Sequence, residues 1–344
     1  MIMTLESCSF PIADTIALRA ESVASIDTSI ISVGAIIGRA TPLLSHSLMT
    51  VPFIGVISTF QSHPLIRQSN TLERCLKGVE GVREGSVLRI DLQNRIHALD
   101  TLAVENALSI KLVHCGENHS LGLTMRTPGD DIDLIFGMLY SEGIIESNLD
   151  VHSLSIDSDE AKVILEDSCK FDAPEHRRRT TKSSACGVCG KESISNLLHT
   201  HGPKLRDNFS LDITSISQAA ESLISSQRIF ELTGGTHAAA FFSEDCELIS
   251  LREDIGRHNA LDKLIGSYIR QPIYSTPPLL FVSGRASFEL VQKCIRFGIP
   301  IMASVGAAST LAVDMAIEHN LTLLSFVRDG RMVVHSTPHR ISNY

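Results

Sequence analysis

Apolar and polar positions alternate in short, sharply bounded runs along the last third of the chain. LLFVS (residues 279–283) is an unbroken apolar run closed by a GRAS turn, as in a short buried strand. Ser287 then stands before FELVQKCIRF (288–297), where apolar residues recur at helical spacing until Gly298 and Pro300 end the pattern, so Ser287 is the expected N-cap. IPIMASV (299–305) reads as a second strand and TLAVDMAIEH (310–319), stopping at Asn320, as a second helix. LTLLSFV (321–327) is a third strand, RDGR (328–331) a turn and MVVHS (332–336) a returning strand. Strand–helix–strand–helix–strand with short links predicts a mostly parallel sheet with helices packed on it.

Upstream, VLRI (87–90), LSIKLV (108–113) and SLGLTMR (120–126) read as strands. After the turn TPGDD, the stretch DDIDLIFGMLYSEGII (130–145) reads as a helix with acidic residues at its start, where they oppose the helix dipole. VHSLSIDSDEAKVILED (151–167) adds two more strands around a polar turn. Residues 1–85 differ: no Asp or Glu occurs from Ser29 to Asn70, and no period is sustained. The bias is that of a transit peptide, yet Arg39 and Arg67 are few arginines for one. The expected organisation is therefore a poorly ordered extension (1–85), a small α+β domain (86–170), a basic mobile cysteine loop (171–192) and an α/β domain (193–344). No internal repeat is present.

Composition narrows the class. The 344 residues are 43% hydrophobic and 20% charged, ordinary for a soluble globular protein. A net charge of -9 argues against a nucleic-acid partner. The long uncharged run between Arg39 and Arg67 is broken by Pro42, Pro52 and Pro64, so no membrane span is expected. The first residues lack a secretory signal pattern, and the eight cysteines are scattered apart from one pair, which together suggest a reducing, cytoplasmic setting.

That pair is Cys186 and Cys189 in ACGVCG, behind the basic cluster His176-Arg177-Arg178-Arg179 and Lys182. A structural zinc site needs four ligands, and His199 and His201 do not match a finger spacing. A zinc deaminase would show H-x-E and then P-C-x-x-C; here Ala185 replaces the proline and no H-x-E precedes it. Gly187 and Gly190 loosen the loop, and the neighbouring cations favour thiolate over thiol. An activated, exposed thiolate suits passing a group between partners; a spare reducible pair is the plain alternative.

Three further segments carry candidate chemistry. In LTGGTHAAAFF (232–242), His237 opens an apolar run and is read as structural. REDIGRHNALDKLIG (252–266) looks like a charged helix start capped by Asp254 or Asn259, with His258 in a Gly–Arg–His–Asn run suited to anions. SGRAS, SVGAAST and FVRDGR each follow a strand of the expected parallel sheet, and ligands of open α/β sheets gather at the carboxyl ends of strands. Ser283, Arg285, Arg328 and Arg331 thus suggest a nucleotide or pyrophosphate pocket.

Taken together, ACGVCG, LTGGTHAAAFF, EDIGRHNALDKLIG, SGRASFELVQK, AASTLAVDMA and LTLLSFVRDGR closely resemble the formate dehydrogenase accessory sulfurtransferases. DTLAVENALSI, MRTPGDD and SEGII resemble that family's N-terminal part, so the likeness runs from about Val87 to Ser342. The resemblance implies a cytidine deaminase-like C-terminal domain with a smaller N-terminal domain, a homodimer, and no metal of its own. It implies sulfur transfer from a cysteine desulfurase to the Mo-bis(molybdopterin guanine dinucleotide) cofactor of formate dehydrogenase. Cys186 would carry the persulfide, and Cys189 would assist or be partly redundant. The family's cofactor-binding segment matches Phe326, Val327, Arg328, Asp329, Gly330 and Arg331. Two alternatives remain at this point: a zinc-dependent nucleobase deaminase, and a cofactor-binding chaperone without sulfur transfer.

Overall fold

The computed structural model describes residues 79–172 and 202–343. The basic cluster, Cys186 and Cys189 lie outside the described residues, as does nearly all of the expected N-terminal extension. All described residues belong to one compact unit beginning at Pro64.

The C-terminal half is built on a six-stranded sheet. Its strands are β8 (His237–Phe242), β9 (Leu248–Asp254), β10 (Leu279–Val282), β11 (Ile301–Ser304), β12 (Thr322–Arg328) and β13 (Arg331–Ser336), in the order β13-β12-β11-β10-β8-β9. Only the β10–β11 and β11–β12 pairings are parallel; the other three are antiparallel. The expectation of a mostly parallel sheet is corrected to a mixed one. The three strands joined through helices are parallel as read, but β8 and β9 form a hairpin that adds an antiparallel edge.

Helices cover both faces, which explains why β8 and β10 are apolar at successive positions rather than alternately. Helices α4 (Arg257–Ile269), α5 (Phe288–Phe297) and α6 (Thr310–Glu318) pack on one face against Ala239, Phe241, Leu280, Val282 and Met302. Helix α2 (Ile213–Ser225) packs on the other against Ala238, Ala240, Phe242, Phe281 and Ala303. A short helix α3 (Arg228–Thr233) follows it. Two-residue strands β7 (Leu211–Asp212) and β14 (Ile341–Ser342) pair in parallel beside α2.

The N-terminal part has a four-stranded sheet ordered β4-β3-β6-β5, from β3 (Asn106–His114), β4 (Glu117–Arg126), β5 (Val151–Asp157) and β6 (Glu160–Leu165). Helix α1 (Asp131–Ser141) buries Leu134, Ile135 and Leu139 against Leu108, Ile110, Leu112 and Val163 of that sheet. Strands β1 (Val82–Ile90) and β2 (Arg95–Ala103) form a separate two-stranded hairpin.

The two halves meet where α1 crosses α4. A Cβ on Gly137 would fall 1.8 Å from the carbonyl oxygen of Asp262, and one on Gly266 would fall 1.8 Å from that of Asp133. The helices approach this closely only because neither crossing residue has a side chain. Polar contacts flank the crossing. Buried Asp133 of α1 accepts from Arg252 and Arg270, and Arg296 of α5 donates from Nε to the carbonyl of Tyr140 at 2.5 Å.

Candidate functional site

Because β9, β10, β11 and β12 end, and antiparallel β8 begins, at one edge of the sheet, five connections converge there. Backbone hydrogen bonds stitch them together. Val305 N–H donates to Val282 O at 3.1 Å, Gly306 N–H to Gly284 O at 3.2 Å, and Phe326 N–H to Gly306 O at 3.1 Å. Ala286 N–H donates to Ala307 O at 3.0 Å, which fixes the two helix-opening loops against each other. A Cβ on Gly306 would meet Gly284 O at 2.9 Å, so main chain lies on main chain here.

The sequence-predicted residues divide into three groups on this edge. Ser283 is part of the scaffold: its Oγ accepts from Ala238 N–H at 2.8 Å and its own N–H donates to Ala238 O at 2.9 Å. Val327 is fully buried in the core. The others face outward. Arg285 is exposed, and Phe326 leaves 45% of its surface open while holding φ 54°, a left-handed conformation uncommon for a bulky residue. It sits at a pairing irregularity between Ser325 and Arg328, where a bulge re-aims side chains.

Arg328 and Arg331 are partners across the tip of the β12–β13 hairpin. Asp329 (φ 51°) and Gly330 (φ 70°) form its two-residue turn, and positive φ at both positions is what an Asp-Gly hairpin turn supplies. Asp329 lies 3.6 Å from the Arg331 guanidinium, both three-quarters exposed, a weak surface pair.

At the start of α4, neither Asp254 nor Asn259 serves as N-cap, contrary to the sequence reading. Gly256 occupies that position without a side-chain cap. Asp254 is instead fully buried, 2.8 Å from Lys263 Nζ, and accepts from Gly256 N–H at 2.8 Å. Likewise Ser287, at the N-cap position of α5, makes no capping bond; its Oγ lies 3.3 Å from His258 Nε2. The same nitrogen is 2.8 Å from Glu289 Oε2, and this bond holds the Glu289 carboxyl below the usual carboxylate range.

Sequence reasoning missed the meeting of His237, Arg257 and Gly284. A Cβ on Gly284 would stand 3.3 Å from His237 Nδ1 and 3.6 Å from Arg257 Cδ, so both side chains lie against this bare backbone. Burial, followed by the charges of Arg257 and His258, pushes the His237 imidazole below its ordinary pKa. The weak signal was the histidine placed directly before an apolar strand, which alone reads as structural.

A cavity of about 720 Å³ lies at the other end of these strands, lined by Arg206, Ser243, Tyr268, Gln271 and Tyr274. Arg206, one of its cations, is paired with Glu244 at 2.7 Å, so its charge is already matched. Among the described residues, no group of three or more His, Cys, Asp or Glu is arranged to hold a metal ion. No described helix is long and apolar enough to cross a membrane.

The FdhD/NarQ family matches residues 103–342, a span that includes all five edge connections. The chain belongs to the FdhD/NarQ family. Similar relatives include proteins named sulfur carrier protein FdhD. That of Nocardia farcinica is 40% identical over 269 residues, covering 74% of this chain and 93% of the relative. That of Streptomyces coelicolor is 39% identical over 259 residues, covering 71% and 89%. That of Picrophilus torridus is 40% identical over 251 residues, covering 72% and 95%. The fold also matches the crystal structure of a protein from Desulfotalea psychrophila assigned as a formate dehydrogenase accessory protein, with a TM-score of 0.62. That match has 24% identity and covers 76% of this chain and all of the other. Cys186 and Cys189 fall inside the FdhD/NarQ span, whereas β1 and most of β2 precede it.

Proposed function

We propose that this FdhD/NarQ chain is a sulfurtransferase that passes persulfide sulfur from a cysteine desulfurase to the Mo-bis(molybdopterin guanine dinucleotide) cofactor required by formate dehydrogenase. The observation that carries this reading is membership of a family whose relatives, near 40% identity over most of their length, are named sulfur carriers. The sequence supplies the carrier: Cys186 and Cys189 behind a run of arginines that favours thiolate. In the first step the Cys186 thiolate attacks the outer sulfur of the desulfurase persulfide. The new bond is Cys186–S–SH, the bond to the desulfurase sulfur breaks, and that sulfur leaves as thiolate. Cys189 assists release of the outer sulfur: its thiolate attacks the Cys186 sulfur, the Cys186–Cys189 disulfide forms, and the outer sulfur leaves at the sulfide level to the acceptor.

The strand-end edge is the proposed seat of the acceptor, which is cargo here. Arg285, Arg328 and Arg331 offer forked donors to pyrophosphate oxygens, and the half-open Phe326 ring offers a face to a base. His258 stands on the same edge, joined to Glu289. In this reading residues 193–344 form a cytidine deaminase-like domain, residues 86–170 a smaller α+β domain, and the protein works in the cytoplasm as a homodimer. Support for the domain assignment is the mixed sheet with its parallel centre β10-β11-β12 between helices on both faces.

The deciding experiment is mass spectrometry after incubation with a cysteine desulfurase and cysteine. Wild type is expected to gain a one-sulfur adduct that Cys186→Ala loses; equal labelling of that variant removes Cys186 as carrier. Near one bound zinc per chain on metal analysis would instead favour the deaminase-like alternative.

A further inference from the structure

The acids around the strand-end edge are already committed. Asp254 is paired with Lys263, and Glu289 with His258. Glu253 accepts from Ile229 N–H and Phe230 N–H, each at 2.8 Å, and from Thr236 Oγ1 at 3.0 Å. Arg257 and Arg285 make no ion pair among the described residues, and the Arg257 Nε is enclosed by protein without a hydrogen-bond partner. Half-buried His237 lies beside Arg257, and both border Gly284, where no side chain fills the space. The Arg257 Nε is an unused, enclosed donor, and with the imidazole next to it a single negative group could accept from both.

We propose that His237 and Arg257 together seat a phosphoryl oxyanion of the nucleotide-bearing ligand against the Gly284 backbone, and that His237 takes up a proton from solvent as the anion arrives. This rests on the reading of the edge as a dinucleotide seat and adds two residues to it. The charges acting on His237 are those of Arg257 and His258 from α4; Glu289 of α5 is joined to His258 and also feels Arg257, and Asp254, its register partner on β9, is neutralised by Lys263. Without ligand, burial and the two α4 side chains oppose a charge on the imidazole. An anion reverses the balance, because its field favours the protonated ring. Affinity then rises as pH falls, by at most about tenfold per pH unit for a single proton.

The test is calorimetric titration of the full chain with guanosine diphosphate, from about pH 6 to about pH 8, in buffers of different ionisation enthalpy. Wild type should take up protons on binding. His237→Gln should bind without that uptake and with a flatter pH profile. Arg257→Gln should bind roughly tenfold to a hundredfold more weakly at every pH, and Arg257→Lys should recover part of the loss. Unchanged proton uptake in His237→Gln, or unchanged affinity in Arg257→Gln, overturns the proposal. Should His237→Gln fail to fold, NMR titration of the wild-type imidazole decides: its pKa must rise when ligand is added, and a static value overturns the proposal. Arg328→Ala separates this from the broader reading. If it abolishes binding while the His237 and Arg257 variants bind as wild type, the edge remains the seat and these two residues are not part of it. If wild type binds no guanosine diphosphate, both readings fall.

Discussion

Asp254, fully buried at the end of β9, gathers Thr127 N–H at 3.0 Å, Gly256 N–H at 2.8 Å, Asn259 Nδ2 at 3.2 Å and the ammonium of Lys263 at 2.8 Å. Lys263, also buried, in turn donates to Thr127 O at 2.7 Å. These contacts pin the first turn of α4, from which Arg257 and His258 project. Removing one member of such a pair strands the other charge in a dry interior, which costs about 3–5 kcal/mol. Lys263→Met is therefore expected to lower stability by about that amount, and the double variant Asp254→Asn, Lys263→Met to recover much of it. Denaturant unfolding of the wild type and the two variants checks this; equal loss in the single and double variant would show that packing, not charge, is at stake. Nothing in the sequence announced this role. Asp254 and Lys263 are nine positions apart, on a strand and the following helix, so helical spacing does not relate them. An acid just before a helix looks like a cap, and only the fold shows that its carboxylate turns inward.

Among the elements, β10 through β13 were legible because their boundaries are chemically sharp. Gly298 ends α5 in the left-handed region at φ 87°, Asn320 follows α6 at φ 56°, and Asp-Gly turns the last hairpin. Strands β2 and β9 were not, since Arg95–Ala103 and Leu248–Asp254 are largely open to solvent or half-buried and lack clean alternation. Helix α2 lies outside the elements read from the sequence, and its serines blur the helical period, although Asp212 is a true cap whose carboxylate accepts from Thr214 N–H at 2.8 Å and Ser215 N–H at 3.2 Å. The α1–α4 crossing was equally silent: Gly137 and Gly266 look like helix-weakening residues until their opposite carbonyls are seen. Gly137→Ala would drive a methyl group into main chain that has no room to yield. It should destabilise by about 3 kcal/mol or more, read as a shift of the denaturation midpoint. An exposed control such as Gly116→Ala, with nothing within 4 Å of an added methyl, separates crowding from backbone preference (its φ is 80°).

At the scale of the whole molecule, the layers run from the four-stranded sheet through α1 and α4 to the six-stranded sheet and α2, with apolar cores between them. The candidate site was half legible at this scale. That loops after successive parallel strands share an edge follows from topology, so Arg285 and Arg328 could be grouped from sequence. That the antiparallel β8 brings His237 to the same edge could not be known before the direction of β8 was. Because buried ion pairs and shared carbonyl contacts link the halves, scanning calorimetry should show one unfolding transition for the described body. Two resolved transitions would mean that the interface is weaker than its geometry implies. The crossing has a mechanical consequence too. Backbone touching backbone leaves a joint no slack, so the small sheet cannot tilt like a jaw over the strand ends. On the proposed reading, a nucleotide arriving there would meet a shelf of fixed shape, and its fit would be decided by the shelf's own contours.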